Sequence, residues 1–151
     1  MKLLLVFLIV FVSGCAAKGP AFSESSLPDD GHPLIFVYRP CNWVGSAATL
    51  LIQFNSDELR SLKNCGFVRL RTSPGAQRVQ VLARGFQSWG APEPLVEFEA
   101  VANQTYFVRY TASASFIPSG AGGLIPLSSS TFMEVDNATG LQEIRALNLS
   151  D

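Results

Sequence analysis

The chain has a single histidine, His32, among its 151 residues. A Ser-His-Asp triad or a histidine-rich metal site would have to be built on that one imidazole. It stands beside Pro33 in a stretch without apolar periodicity and reads as a solvated linker residue. The Gly-x-Ser-x-Gly elbow of serine hydrolases is missing. So are a phosphate-binding loop, a dinucleotide fingerprint, metal-type cysteine spacing and a calcium loop. No cofactor, no metal and no catalytic residue are therefore expected. Charge is scarce too, at 15% of residues, with 11 Lys+Arg against 12 Asp+Glu. That balance lacks the basic surface nucleic acid demands and predicts no strong steering of a charged partner. After Gly14 no apolar run reaches transmembrane length.

The first fourteen residues are different. Lys2 supplies a positive start, and Leu3 to Val12 are uninterruptedly apolar. Ten residues make about 15 Å of helix, half of a ~30 Å hydrocarbon core. That length suits the apolar stretch of a secretion signal and is too short for a stable span. Val12-Ser13-Gly14-Cys15 follows directly and resembles the lipobox of bacterial lipoproteins, with Val where Leu is usual. The resemblance implies cleavage before Cys15, a diacylglyceryl group on its thiol and an acyl chain on its freed amine. Several chains give an anchoring that one cannot. Ala16, rather than Asp, after the anchor implies the inner leaflet of the outer membrane, facing the periplasm. Removing residues 1–14 also removes Lys2, leaving 10 cations against 12 anions.

Residues 15–33 are rich in Gly, Pro, Ser and Asp and read as the acylated N-terminus and a flexible tether. Phe22 and Leu27 are its candidate docking residues. Residues 34–151 read as one domain. Period-two, β-branched and aromatic segments cover 34–39, 49–54, 67–72, 77–84, 95–101 and 105–111. Leu124 to Leu127 fits an edge strand, where proline is tolerated, and Thr131 to Val135 a last strand. The rest of 112–130 is small and polar. Asp136 to Leu147 reads as a short helix with Thr139 and Gln142 as a capping box, Leu141 and Ile144 facing the core; Leu147 and Leu149 fit a strand equally well. The expected fold is mainly β: a single antiparallel β-sandwich of about seven short strands with a short C-terminal helix.

Parity predicts two hairpins. Val96, Phe98 and Ala100 share a face with Tyr106, Val108 and Tyr110 if a three-residue loop at 102–104 joins their strands, which sets Glu97 opposite Arg109. Val68 and Leu70 share a face with Val79 and Val81 across a turn at Ser73-Pro74-Gly75-Ala76. The outward face of that second pair then carries Arg69, Arg71, Arg78 and Arg84.

Lys18-Gly19-Pro20, Val37-Tyr38-Arg39-Pro40, Ser73-Pro74-Gly75 and the run Asn103 to Arg109 follow the lipobox in order. Together they resemble a bacterial lipoprotein family of unknown function (domain of unknown function 2846). The hairpin with Gly85-Phe86 also resembles small transthyretin-like β-sandwiches. The resemblance implies location and fold and brings no catalytic residue.

Cys41 and Cys65 remain in the mature chain. An even pair in an oxidising periplasm reads as a disulfide, with separate thiols or a redox pair as the other arrangements. The candidate partner-binding residues are the loop tryptophans Trp43 and Trp89 and the arginine strip. The expected function is a non-enzymatic binding or structural module of the cell envelope. It would be held to the membrane by its lipid and would meet an envelope protein or glycan through its loops. The runner-up readings are a glycan hydrolase using Glu97 and Glu99, and a small-ligand carrier using the sandwich interior.

Overall fold

The computed structural model of the protein describes residues 16–24, 31–55, 58–82, 93–119 and 122–150. The leader, Cys15, Leu27, Arg84 and Trp89 lie outside the described residues.

The described residues are mainly β, with two sheets and one short helix near the C-terminus. Strands β1 (Leu34–Arg39), β4 (Gly66–Arg71), β7 (Thr105–Pro118), β8 (Leu124–Val135) and β9 (Asn148–Leu149) form one sheet, in the order β8-β7-β1-β4-β9. Strands β2 (Leu50–Phe54), β3 (Glu58–Leu62), β5 (Gly75–Leu82) and β6 (Leu95–Ala100) form the other, in the order β3-β2-β5-β6. Most pairings are antiparallel, but β1 runs parallel to β7 and β4 parallel to β9. Helix α1 spans Asn137–Ile144.

The side chains that alternate inward from both sheets make the core: Ile35, Val37, Ile52, Phe54, Val68, Val79 and Val108 among them. A second cluster lies on the outer face of the five-stranded sheet. There Leu34, Phe36, Tyr38, Phe67 and Phe107 meet Ile144 and Leu147 of the C-terminal segment. β1 is thus covered on both faces, and all six of its residues are buried. Gly140 lets the helix lie close to the sheet, because a Cβ there would come within 2.2 Å of the Phe107 ring.

Both predicted hairpins are corrected. β4 pairs with β1 and β9, while β5 pairs with β2 and β6, so residues 72–74 cross between sheets. Gln77, buried, holds this crossover: its amide donates to the carbonyls of Ser73 and Gly75 and accepts from Thr72 and Asn55. β6 and β7 likewise belong to opposite sheets. The residues that parity groups do share one core, but their strands are not neighbours. Two strands can share a core by facing each other across it as well as by pairing edge to edge. Asn103 does take the left-handed conformation, at φ 61°, at the corner between them. The Tyr106 hydroxyl accepts from the Val101 N–H at 2.8 Å and braces that corner.

The tether is corrected over residues 16–24. Backbone hydrogen bonds join Ala17 N–H to the Asn64 carbonyl, Gly19 N–H to that of Leu149, Leu149 N–H to that of Pro20, and Phe22 N–H to that of Leu147. The segment lies along β9 as an extra edge, with Ala17 buried. Phe22 packs edge-on against Phe36 and Phe67, with ring centroids 5.5 and 5.9 Å away. Small residues make the contact possible: a Cβ on Gly19 would meet the Leu149 carbonyl oxygen at 2.5 Å, and one on Gly66 would meet Ala17 at 2.8 Å. The helix cap is corrected too. Asp136 is the N-cap, accepting from the Thr139 N–H at 3.0 Å, and the helix begins one residue later. Ile144 is buried and Leu141 packs against the outer cluster, as the sequence predicts.

Small and polar in large part, residues 112–118 and 124–130 extend β7 and β8 into a two-stranded ribbon, paired without interruption from Phe107↔Val135 to Pro118↔Leu124.

The helix is tied to the sheet by one polar cluster. The Tyr38 hydroxyl donates to Glu143 at 2.5 Å, and Arg109 donates to the other carboxylate oxygen at 2.8 Å. Burial first, and the neighbouring Glu143 carboxylate second, raise the Tyr38 phenol well above its ordinary value. In the unfolded chain that phenol ionises near pH ~10, while in the fold it stays protonated. The fold therefore binds more protons than the unfolded chain above pH ~10, and stability falls as pH rises through that range. Urea midpoints measured from about pH 8 to about pH 11 should drop more steeply for the wild type than for Tyr38→Phe.

Candidate functional site

The end of the sandwich where β1 stops gathers several features the sequence scatters. β1 ends on Arg39, which faces Gly66 across the ladder. Arg39 is a charged residue closing a strand of otherwise apolar and aromatic side chains, and it is buried. Burying a cation is costly unless its donors are met. Its guanidinium donates to the carbonyls of Gly45 at 2.6 Å and Ala48 at 2.8 Å, and lies over the Tyr110 ring, 5.9 Å from its centroid. Burial lowers its pKa. Arg39 thereby fixes the loop of residues 40–49, which carries Trp43.

Cys41 and Cys65 form a disulfide that ties this loop to the turn before β4. Asn42 adds three bonds. Its N–H donates to the Asn64 side chain at 3.1 Å, its side-chain oxygen accepts from Val44, and its amide donates to the Ala112 carbonyl at 2.6 Å. One residue therefore joins the loop, the 63–65 turn and the base of the β7–β8 ribbon. Trp43, beside it, is 78% exposed. The chain-entropy cost that the bridge removes from the unfolded state, for a separation of 24 residues, is about 3 kcal/mol. Cys41→Ser with Cys65→Ser should lower the unfolding free energy by roughly that amount in denaturant titrations. It should also broaden the Trp43 emission as the loop loosens.

The first described residue, Ala16, bridges to Asn64 at this same end. β7 runs parallel to β1 and continues past Arg39, so its distal half leaves the sandwich here as well. From Ser113 to Pro118 every residue is exposed on both faces of the ribbon. No charged residue occurs between Arg109 and Glu134. Phe116 is 60% exposed, Leu124 68%, and Ile117 is exposed with them.

No family model matches the chain, and no curated protein or solved structure does either.

The remaining candidates do not converge. Arg69 and Arg71 are exposed on the outer face of the five-stranded sheet, while Arg78 is exposed on the outer face of the other. With a whole sandwich between them they form no common strip. Glu97 sits opposite Arg78, not Arg109, with Nε and Oε1 3.9 Å apart; Arg109 turns instead to Glu143. Glu97 and Glu99 line a shallow open hollow with Ala76, Gln77, Arg78 and Phe98, on a solvated strand face. Among the described residues no cluster of three or more His, Cys, Asp and Glu could hold a metal. No helix among them is long and apolar enough to cross a membrane.

Sequence reasoning missed Arg39, Asn42 and the ribbon. Arg39 had a signal: a cation ending a continuous apolar run is either a surface break or a buried staple. Asn42 had none, since two of its three partners, Asn64 and Ala112, come from distant parts of the chain.

Proposed function

We propose that the protein is a lipid-anchored, non-enzymatic module of the bacterial cell envelope, attached through Cys15 to the outer membrane and facing the periplasm. The observation that carries this reading is the apolar decapeptide that ends on Val12-Ser13-Gly14-Cys15. The resemblance to the lipoprotein family of unknown function points the same way, and Lys18-Gly19-Pro20 gains a physical role in that light. Gly19 is the residue that lets the segment behind the anchor close onto the domain. The disulfide suits an oxidising compartment. The described interior is filled by side chains from both sheets, which supports a binding surface rather than an enclosed ligand. The exposed surface best suited to binding is the end that bears Trp43 and the uncharged ribbon.

Globomycin, which blocks the lipoprotein signal peptidase, tests the reading. Treated cells should accumulate a membrane-bound precursor that keeps the fourteen-residue leader and lacks the acyl chain on the Cys15 amine. Processing that continues unaltered would refute the lipoprotein assignment.

A further inference from the structure

We propose that the end of the sandwich bearing Trp43 and the β7–β8 ribbon lies against the lipid bilayer, with the apolar tip of the ribbon seated among the acyl chains. The inference rests on lipid attachment at Cys15 and goes further by assigning the face of the domain that meets the membrane.

Three observations place that face. First, Ala16 bridges to Asn64 and Ala17 is buried, so no free tether separates Cys15 from the folded domain. An acyl group on Cys15 therefore brings this end of the sandwich to the lipid surface. Second, Trp43 is fixed near that point: its neighbour Asn42 bonds Asn64, the residue Ala16 bridges to, and Cys41 is bonded to Cys65. An exposed tryptophan with an apolar body and a polar N–H suits the headgroup boundary. Third, the ribbon leaves from the same end, since Asn42 also bonds Ala112 at its base.

The ribbon's composition fits a graded environment. Its stem is rich in hydroxyls, with Ser113 and Ser129 side chains 2.7 Å apart. Its tip carries Phe116, Ile117 and Leu124, all exposed. Peptide groups entering hydrocarbon must be satisfied within the protein, and the tip meets part of that demand itself. Ser119 N–H donates to the Gly123 carbonyl at 2.7 Å, Gly122 N–H to the Ser119 carbonyl and Gly123 N–H to the Ser119 hydroxyl. Pro118 and Pro126 have no N–H to satisfy. Seven residues from Ala112 to Pro118 span about 23 Å, roughly one leaflet with its headgroups. Among the described residues no further strand pairs with the distal half of the ribbon, so its edges keep polar groups to solvate and it lies inclined, stem in the headgroups and tip below them.

Depth-dependent quenching tests this on the full acylated protein, purified from membranes and reconstituted into vesicles of phosphatidylethanolamine and phosphatidylglycerol with brominated acyl chains. Three single-tryptophan forms report three positions. Trp89→Phe leaves Trp43 alone. Phe116→Trp, with Trp43→Phe and Trp89→Phe, reports the ribbon. Val101→Trp in that same double-Phe background reports the opposite end of the sandwich, where Val101 is exposed. The mass of the Cys15 peptide is read on each sample, so the anchor and the orientation are scored separately. Expected are a loss of most emission at Phe116→Trp, a smaller loss at Trp43 and none at Val101→Trp, each relative to unbrominated vesicles. Acylated protein with unquenched Trp43 and Phe116→Trp would overturn the orientation and leave the anchor standing. Acylated protein in which Phe116→Trp stays unquenched while ribbons of two copies cross-link would assign the ribbon to self-association instead. An unacylated Cys15 would remove the premise and the proposal together.

Discussion

Cys15→Ser should abolish incorporation of labelled fatty acid and remove the protein from the outer-membrane fraction. A hydroxyl cannot replace the thiolate as acceptor of the diacylglyceryl group, and without that group the lipoprotein peptidase has no substrate. The uncut precursor then keeps Leu3 to Val12, ten apolar residues that even as a helix would reach only ~15 Å, half of a ~30 Å core. With neither a thiol nor a freed amine to acylate, the loss of labelling should be complete; such a leader holds the chain only weakly at the inner membrane, so the steady-state amount should fall. The folded domain should be unaffected, because the packing of residues 16–24 against β9 begins after the substituted position. A denaturant midpoint equal to wild type, measured on the same variant, separates lost attachment from lost folding.

Phe36→Ala should cost about 3–5 kcal/mol. Phe36 is fully buried at the middle of the doubly covered strand β1. Its ring stacks 5.4 Å from that of Phe107 and meets Phe22 and Phe67 edge-on. Removing it opens a cavity under the helix and takes away the surface on which Phe22 docks. Against a total stability of about 5–15 kcal/mol, a loss of that size lowers the thermal midpoint by on the order of 10 °C. The N-terminal segment should loosen before the sandwich does. Hydrogen exchange at Gly19 and Phe22, whose amides bond Leu149 and Leu147, should accelerate more than exchange at Val79 in the far sheet. Uniform acceleration would show that the segment and the sandwich open as one unit.

How much of this was legible in the sequence depends on what each residue's neighbours are. The strands were readable where one face is buried and the other wet, as in Gln77 to Leu82, whose inward Gln77, Val79 and Val81 alternate with less buried neighbours. β3 escaped because it is an edge strand in which only Leu62 is buried, so no alternation marks it. The ribbon escaped for the same reason carried further: residues 113–118 are exposed on both faces, and burial imprints no period on them. The two hairpins were misassigned because parity fixes which face a residue takes, not which strand lies beside it. Sheet crossovers at 72–74 and 101–104 satisfy the same parity as tight turns do.

The candidate site was half readable. The lipobox-like tetrapeptide and the two paired cysteines are local or compositional signals, and Trp43 was singled out as a loop aromatic. That Ala16, the disulfide and Trp43 gather at one end depends on β1 pairing with β4 and on the bridge from Ala16 to Asn64. That the ribbon leaves from there depends on β7 running parallel to β1. No short window of sequence contains these long-range choices. The arginine strip shows the converse. Arg69, Arg71 and Arg78 are all outward-facing, as predicted, but outward from different sheets. The tether reading fails over residues 16–24 because Ala17 and Gly19 are small in order to pack.

The most direct measurement is the mass of the N-terminal peptide of the protein extracted from bacterial membranes. The account predicts a peptide that begins at Cys15 and is heavier than its amino acids by a diacylglyceryl group plus an N-linked acyl chain. A peptide that begins at Cys15 or elsewhere with no added lipid would contradict it.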